Sequence, residues 1–187
     1  MSEFLLELYS EEIPPQLQIN ARTQLKQQLE KSLKEEGIKY KDCLEYSSPT
    51  RLSIYIIGIP EKIKIKSKEI KGPKVGVPEN ILQGFARSHD VAEKNLFKKE
   101  TEKGEFYFIK TAEKNILVED LLTSILPKAM SSISWKKSMK WSTNNLMWGR
   151  PLRSIFAIFN GKKLPFMYQH LESTDNIIIE KDLITKS

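Results

Sequence analysis

A strand and a helix stand back to back at the start of this chain, and together they fix the class of fold. Residues 3–9 alternate, with Phe4, Leu6 and Leu8 on one side and Leu5 inserted between them, which is the period of a half-buried strand. Leu17, Ala21, Leu25, Leu29 and Leu33 then recur at every fourth residue among Gln, Lys, Arg and Glu, which predicts an amphipathic helix with a single apolar stripe. Pro14-Pro15 separates the two, because proline cannot donate to a sheet ladder but pre-sets the first turn of a helix. Gly37 is the expected C-cap. A one-sided strand and a one-sided helix must each bury an apolar surface, and a sheet with helices packed on it satisfies both.

The remainder of the chain extends that scheme. Residues 45–51 are rich in turn formers and lead into a β-branched apolar strand at 52–59. Residues 61–74 carry six lysines against two glutamates, the pattern of an edge strand or hairpin arm whose lysines block aggregation. Gly72-Pro73, Gly76 and Pro78 mark a loop. A short helix is expected over 78–88, a second small one over 90–97, and a strand over 105–110 after the Lys103-Gly104 turn. Residues 118–130 read as a helix with Glu119 and Asp120 in its first turn, where the helix dipole favours anions. Pro127 is expected to kink or restart that helix. Asn160-Gly161 lies between apolar runs at 155–159 and 164–168, the strongest short-range hairpin signal. Strands, helices and hairpins follow one another without βαβ repetition, which gives an α+β class with an antiparallel or mixed sheet. We expect one domain over residues 1–170 and a weakly patterned tail over 171–187.

Bulk properties exclude several function classes. The 187 residues suffice for a real core, and 40% hydrophobic with 29% charged residues is ordinary for a globular chain. One cysteine, Cys43, cannot form an internal disulfide, and the two histidines, His89 and His170, are far apart in sequence. Neither HExxH nor a cysteine cluster is present, so no metal site is expected. Phosphate-cradling glycine loops and a GxSxG elbow are also missing. The acidic start Met1-Ser2-Glu3 is unlike a secretory leader, which needs a basic region and a longer apolar run. No segment approaches the 18 or so apolar residues of a membrane span. A reducing cytoplasm is the expected compartment.

Charge points elsewhere. Thirty Lys and Arg against 24 Asp and Glu leave +6, a balance that favours a polyanionic partner. All three tryptophans fall between Trp135 and Trp148, among Lys136, Lys137, Lys140, Arg150 and Arg153. Rings beside cations suit single-stranded or loop nucleic acid, since bases stack on the rings and phosphates meet the cations. Packing is the competing reading of Trp141 and Trp148, because tryptophan buries so much apolar area. Lys62, Lys64, Lys66 and Lys68 form a second basic patch. Residues 1–16, by contrast, hold four glutamates and no Lys or Arg. Glu11 and Glu12, adjacent on an extended chain, point to opposite faces and do not share a proton. Arg51, at the entrance to the 52–59 strand, can brace loop carbonyls or bind phosphate.

Several short segments together carry a family resemblance. Leu6-Glu7-Leu8-Tyr9-Ser10-Glu11-Glu12-Ile13-Pro14-Pro15 resembles the E-I-G-T-E-E-L-P-P segment of the beta subunit of bacterial glycyl-tRNA synthetase. Ser48-Pro49-Thr50-Arg51-Leu52 is similar to that family's A-P-R-R-L, Lys71-Gly72-Pro73 to its K-G-P loop and Gly84-Phe85-Ala86-Arg87 to its G-F/W-A-R helix. Lys103-Gly104-Glu105 matches a K-G-E turn. Ser138-Met139-Lys140-Trp141, then Arg150-Pro151 and Ile155, resemble its L-M-R-W…R-P…I block. The six pieces are collinear, and the motif resemblance ends near Leu171.

The resemblance implies the N-terminal portion of the beta subunit of an α2β2 glycine–tRNA ligase. It implies a class II catalytic site for glycine and ATP, with Mg2+, on the alpha subunit and no cofactor on this chain. The implied partners are the alpha subunit, tRNA(Gly) and the rest of the beta subunit. From residue type and patch position, Lys136, Lys137, Lys140, Arg150 and Arg153 are candidates for phosphate and Trp141 and Trp148 for stacking, with Lys62, Lys64, Lys66 and Lys68 as a weaker tRNA patch. Glu7, Glu11, Glu12, Pro14, Pro15 and Arg51 are candidates for a structural turn or subunit contact. A purely bracing role for the whole segment is the alternative.

Overall fold

The first strand runs Ser2–Ser10 and the long helix Pro15–Glu35 in a computed structural model, which describes residues 2–65, 69–89, 92, 95–101, 104–110, 113–136, 138–141 and 146–179. In chain order the elements are β1 (Ser2–Ser10), α1 (Pro15–Glu35), β2 (Asp42–Ser48), β3 (Arg51–Ile59), β4 (Lys62–Ile65), β5 (Glu69–Lys74), α2 (Glu79–Ser88), β6 (Leu96–Thr101) and β7 (Gly104–Lys110). They continue with β8 (Lys114–Leu117), α3 (Val118–Ser131), β9 (Met139–Trp141), β10 (Leu146–Trp148), β11 (Leu152–Phe159), β12 (Lys162–Lys163), β13 (Met167–Tyr168) and β14 (Leu171–Thr174). The chain forms two units, one of Met1–Ile63 with Leu117–Ser187 and one of Lys64–Ile116.

The first unit is built on a sheet of order β13-β14-β11-β1-β3-β2, with β12 paired to β11. β1 lies in the middle, antiparallel to β11 on one side and β3 on the other, while β14 joins β11 in parallel. The sheet is therefore mixed and the class α+β. The run β1-α1-β2-β3, then α3 and β11, is a split βαβ arrangement, in which the parallel pair β1 and β2 has β3 between them. Phe4, Leu6 and Leu8 of β1, Leu52, Ile54 and Ile56 of β3, and Ile155, Ala157 and Phe159 of β11 are buried on one side. Leu25, Leu29 and Leu33 of α1 and Leu122, Ile125 and Leu126 of α3 belong to the same core. Both helices thus cover one face of the sheet. Each of the Leu, Ile and Phe side chains contributes roughly 1.5–3 kcal/mol on burial.

Local chemistry sets the boundaries of α1. Pro14 caps its start, its carbonyl accepting from the Leu17 and Gln18 amides, and Pro15 takes the first turn. At the other end the Gly37 amide donates to Lys34 and the Ile38 amide to Leu33, which is a Schellman closure with Ile38 and Leu33 in the apolar contact. The helix is tied to β2 as well: Thr23 Oγ1 donates to Glu45 at 2.9 Å and Arg22 to Ser47 at 3.2 Å.

Under α1, Cys43 is buried. Burial, reinforced by the nearby Glu30 carboxylate, pushes its thiol up to about 12. The folded state therefore favours the protonated thiol, and the stability this lends is complete below the unfolded value of about 8.5 and declines as pH rises from there towards the folded one. We expect Cys43 to resist iodoacetamide at alkaline pH in the folded chain and to react promptly in urea. Stability measured by urea titration should fall as pH rises above about 8.5, and Cys43→Val should flatten that fall. Alkylation of the folded chain at the rate of a free thiol would contradict this.

Several expectations change on contact with the fold. α3 stays one helix from Val118 to Ser131 through Pro127, and the burial of Leu122, Ile125, Leu126, Ala129 and Met130 on its core side holds it across the missing donor. The Asn160-Gly161 turn forms with positive φ at both residues, but its second arm is only Lys162–Lys163. Beyond it Leu164 and Phe166 turn into the core, and Met167–Tyr168 pairs with β14 instead. Ser173 secures that turn, donating to the Leu164 carbonyl and accepting from the Phe166 amide. Leu96 and Phe97, expected to end a small helix, begin β6. There they pair with Ile109 and Phe108.

The second unit is a three-stranded antiparallel sheet, order β5-β7-β6, with α2 beside it. Lys71 sits 3.5 Å from the centre of the Phe106 ring, and Lys99 pairs with Glu69 at 2.7 Å. The K-G-P and G-F-A-R segments meet here. A Cβ on Gly72 would lie 2.3 Å from the Phe85 ring, so glycine is needed at that position to let α2 approach β5.

Candidate functional site

Three of the resemblance segments converge at one end of the central sheet. The Ser10 amide donates to the Thr50 carbonyl at 2.8 Å, the Glu11 amide to Pro151 at 3.0 Å and the Ile13 amide to Pro49 at 2.6 Å. The backbone of Ser10–Ile13 is thereby sewn to the β2–β3 turn and to the segment entering β11. Both prolines serve as acceptors only, which is the one backbone role proline retains. Ile13 is fully buried, and its carbonyl accepts from Gln18 Nε2 at 2.6 Å. This isoleucine is the anchor of the turn. Its signal in the sequence was a lone apolar residue inside an otherwise polar and proline-rich turn.

Side chains complete the rim. Arg51 pairs with Glu7, donates to the Ile178 carbonyl and stacks over the Tyr9 ring, 4.7 Å from its centre. It is occupied on three sides and braces this end of the sheet. Arg153 pairs with Glu11. Beside Glu11 lies an open notch of about 510 Å³, lined also by Glu12, Pro14, Pro15 and Arg150. Among the described residues neither Glu12 nor Arg150 has an ion-pair partner, and both are exposed. The notch thus presents a carboxylate and a guanidinium to solvent on a rigid, proline-stiffened frame.

The tryptophan block folds mostly inward. Trp148 is fully buried, its ring 5.1 Å from that of Trp135 and 6.1 Å from that of Tyr168. Its faces are covered by protein, so it is a packing residue rather than a surface for a base. Gly149 allows the contact, because a Cβ there would lie 2.3 Å from the Trp135 ring. The segment before Trp135 is held by a two-way amide clamp, Gln24 of α1 bonding both the amide and the carbonyl of Ser134. The Trp135–Gly149 contact brings the two halves of the block together, and the next residue on each side, Lys136 and Arg150, is exposed. Lys137 lies outside the described residues, as do the side chains of Lys140 and Trp141, whose backbone forms β9.

The second basic patch is not brought to this site by the described contacts. Lys62 and Lys64 are exposed in β4, and Lys64 pairs with Glu113 at 2.6 Å. Lys66 and Lys68 lie outside the described residues. Among the described residues no three His, Cys, Asp or Glu side chains come together as a metal cage.

Comparison with known proteins agrees with the segments assembled above. A family model described as glycyl-tRNA synthetase beta subunit matches residues 4–185, past Leu171, where the motif resemblance ends. The chain is 36% identical over 177 residues to the glycine–tRNA ligase beta subunit of Rickettsia prowazekii, covering 95% of this chain and 26% of that protein. It is 34% identical over 166 residues to the corresponding subunit of Rhodospirillum centenum, covering 88% and 23%. With that of Paracoccus denitrificans the identity is 34% over 160 residues, covering 86% and 23%. The chain spans about a quarter of the length of these relatives.

Proposed function

The chain belongs to the glycyl-tRNA synthetase beta subunit family, and on that premise we propose that it serves as the N-terminal portion of the beta subunit of an α2β2 glycine–tRNA ligase. In this reading it supports subunit assembly and tRNA binding, while the alpha subunit binds glycine, ATP and Mg2+ and carries out aminoacylation in the cytoplasm. Among the described residues no helix is long and apolar enough to cross a membrane.

One observation carries the tRNA half of the proposal. The Trp135–Gly149 contact makes neighbours of two segments, and each contributes an exposed cation, Lys136 and Arg150. Exposed cations on two segments that a packed aromatic contact brings together can neutralise phosphates of one backbone. The bracing cations Arg51 and Arg153, already paired to Glu7 and Glu11, are weaker candidates because phosphate would have to displace a carboxylate.

The test is tRNA(Gly) binding by the assembled ligase across a salt series, with a Lys136→Ala/Arg150→Ala variant alongside. The log–log salt slope should become shallower by about 0.7–0.9 for each phosphate contact removed, with affinity weakened most at low salt. Unchanged slope and affinity would leave the bracing role, which the burial of Trp148 favours, as the function of this segment.

A further inference from the structure

The helices of the first unit cover only one face of its central sheet. On the other face the strand register lines up Ile158 of β11, Leu5 of β1, Tyr55 of β3 and Leu44 of β2 in one continuous row. The next row places Phe156, Glu7, Ser53 and Tyr46 side by side. Above these rows is an open cavity of about 550 Å³, lined by Leu5, Tyr46, Tyr55, Phe156 and Ile158 with Glu3 at its margin. Tyr46 is 54% exposed. Monomeric proteins seldom leave a contiguous patch of this kind uncovered without a use for it.

Aromatic rings on an open four-stranded sheet could serve as stacking platforms for bases. The charges on this face argue against that occupant. Its carboxylates include Glu3, Glu7, Asp42 and Glu172, with Glu3 and Asp42 exposed on either side of Ile57. Among the described residues its cations are Arg51, paired to Glu7, and Lys163, opposite Ile158 and paired to Glu172, so both are neutralised while Glu3 and Asp42 are not ion-paired. The face is thus locally anionic on a molecule whose net charge is +6. A phosphate backbone is repelled there, whereas a cationic flank is attracted. Four strands span about 14 Å across the sheet, and a helix with its side chains is about 10–12 Å wide, so one helix fits these half-buried rows. Further exposed apolar side chains follow the sheet: the Ile178 carbonyl accepts from Arg51, and its chain neighbours Ile177 and Ile179 are 55% and 75% exposed.

We propose that this open face docks an amphipathic helix of a protein partner, its apolar stripe on the Ile158–Leu5–Tyr55–Leu44 row and its lysines or arginines against Glu3 and Asp42. The face is lined by residues other than those of the Glu11–Arg150 notch, so its test is separable from that of tRNA binding.

The full chain is titrated with a fluorescent helical peptide of leucine and lysine, with its leucine–glutamate counterpart, and with an oligothymidylate. The lysine peptide is expected to bind at least about tenfold more tightly than the glutamate one, the reverse of what the net charge of the molecule dictates. Methyl NMR on the unmodified chain should place the perturbation at Leu5, Leu44 and Ile158. A Glu3→Lys/Tyr46→Lys variant should abolish the preference while keeping its thermal midpoint. Preference for the glutamate peptide, or methyl shifts confined to other residues, would overturn the proposal. Shifts at these three residues with the oligothymidylate and not with the lysine peptide would overturn it too, in favour of a base platform.

Discussion

Trp148→Ala is expected to destabilise the first unit by about 3–5 kcal/mol, the usual cost of removing a fully buried large aromatic. The ring is fully buried between Trp135 and Tyr168. Its loss opens a cavity that those two neighbours, held by the Gln24–Ser134 clamp and the β13–β14 turn, cannot collapse to fill. Urea unfolding followed by far-UV circular dichroism measures the effect. Trp148→Phe should recover a large part of it, since an aromatic ring of smaller volume keeps most of the contact. Were Trp148 a stacking residue, the alanine variant would keep its stability and lose tRNA affinity. The burial predicts the opposite ranking, with loss of stability first and loss of binding only as a consequence.

Ile13→Ala should cost about 2–5 kcal/mol, although Ile13 sits in the middle of a turn whose neighbours are exposed carboxylates and prolines. It is fully buried, and both its amide and its carbonyl are committed, to Pro49 and to Gln18. Glu12→Gln, one residue away and exposed, should change stability by no more than about 0.5 kcal/mol. The same segment therefore separates into a buried anchor and a displayed carboxylate. A pair of urea titrations reveals which residues of the turn serve the fold and which remain available to a partner. Equal losses for the two variants would mean that Glu12 is built into the frame as well.

Where periodicity was long, the sequence was a good guide. The stripe from Leu17 to Leu33 placed α1, and the alternation of Phe4, Leu6 and Leu8 placed the buried side of β1. Where the deciding partner lies far along the chain, periodicity has nothing to report. β14 is four residues long and exists because Ser173 and Thr174 find Ile155 and Phe156. Leu96 and Phe97 suit a helix as well as a strand until Ile109 and Phe108 are set opposite them.

The site divides in the same way. Glu11, Glu12, Pro14, Pro15 and Arg150 were legible as residue types, and the structure gathers them at one notch. That Arg51 and Arg153 are spent on Glu7 and Glu11 was not legible, because the pairs join residues remote in sequence. Trp148 illustrates the limit most plainly. A tryptophan between cations has the same local sequence whether its ring stacks on a base or on another tryptophan, and only the Gly149–Trp135 contact decides.

The position of β1 has a consequence for how such a chain is made. Its partner β11 pairs Leu6 with Ala157, about 150 residues later. At ordinary elongation rates of about 5–20 residues per second, that separation is roughly 8–30 s of synthesis. Once residues 42–59 have been made, β1, β2 and β3 can assemble with α1, but the backbone edge of β1 that will face β11 stays without its partner. The strand that lies in the middle of the finished sheet is thus the one that waits longest for its second neighbour in the nascent one.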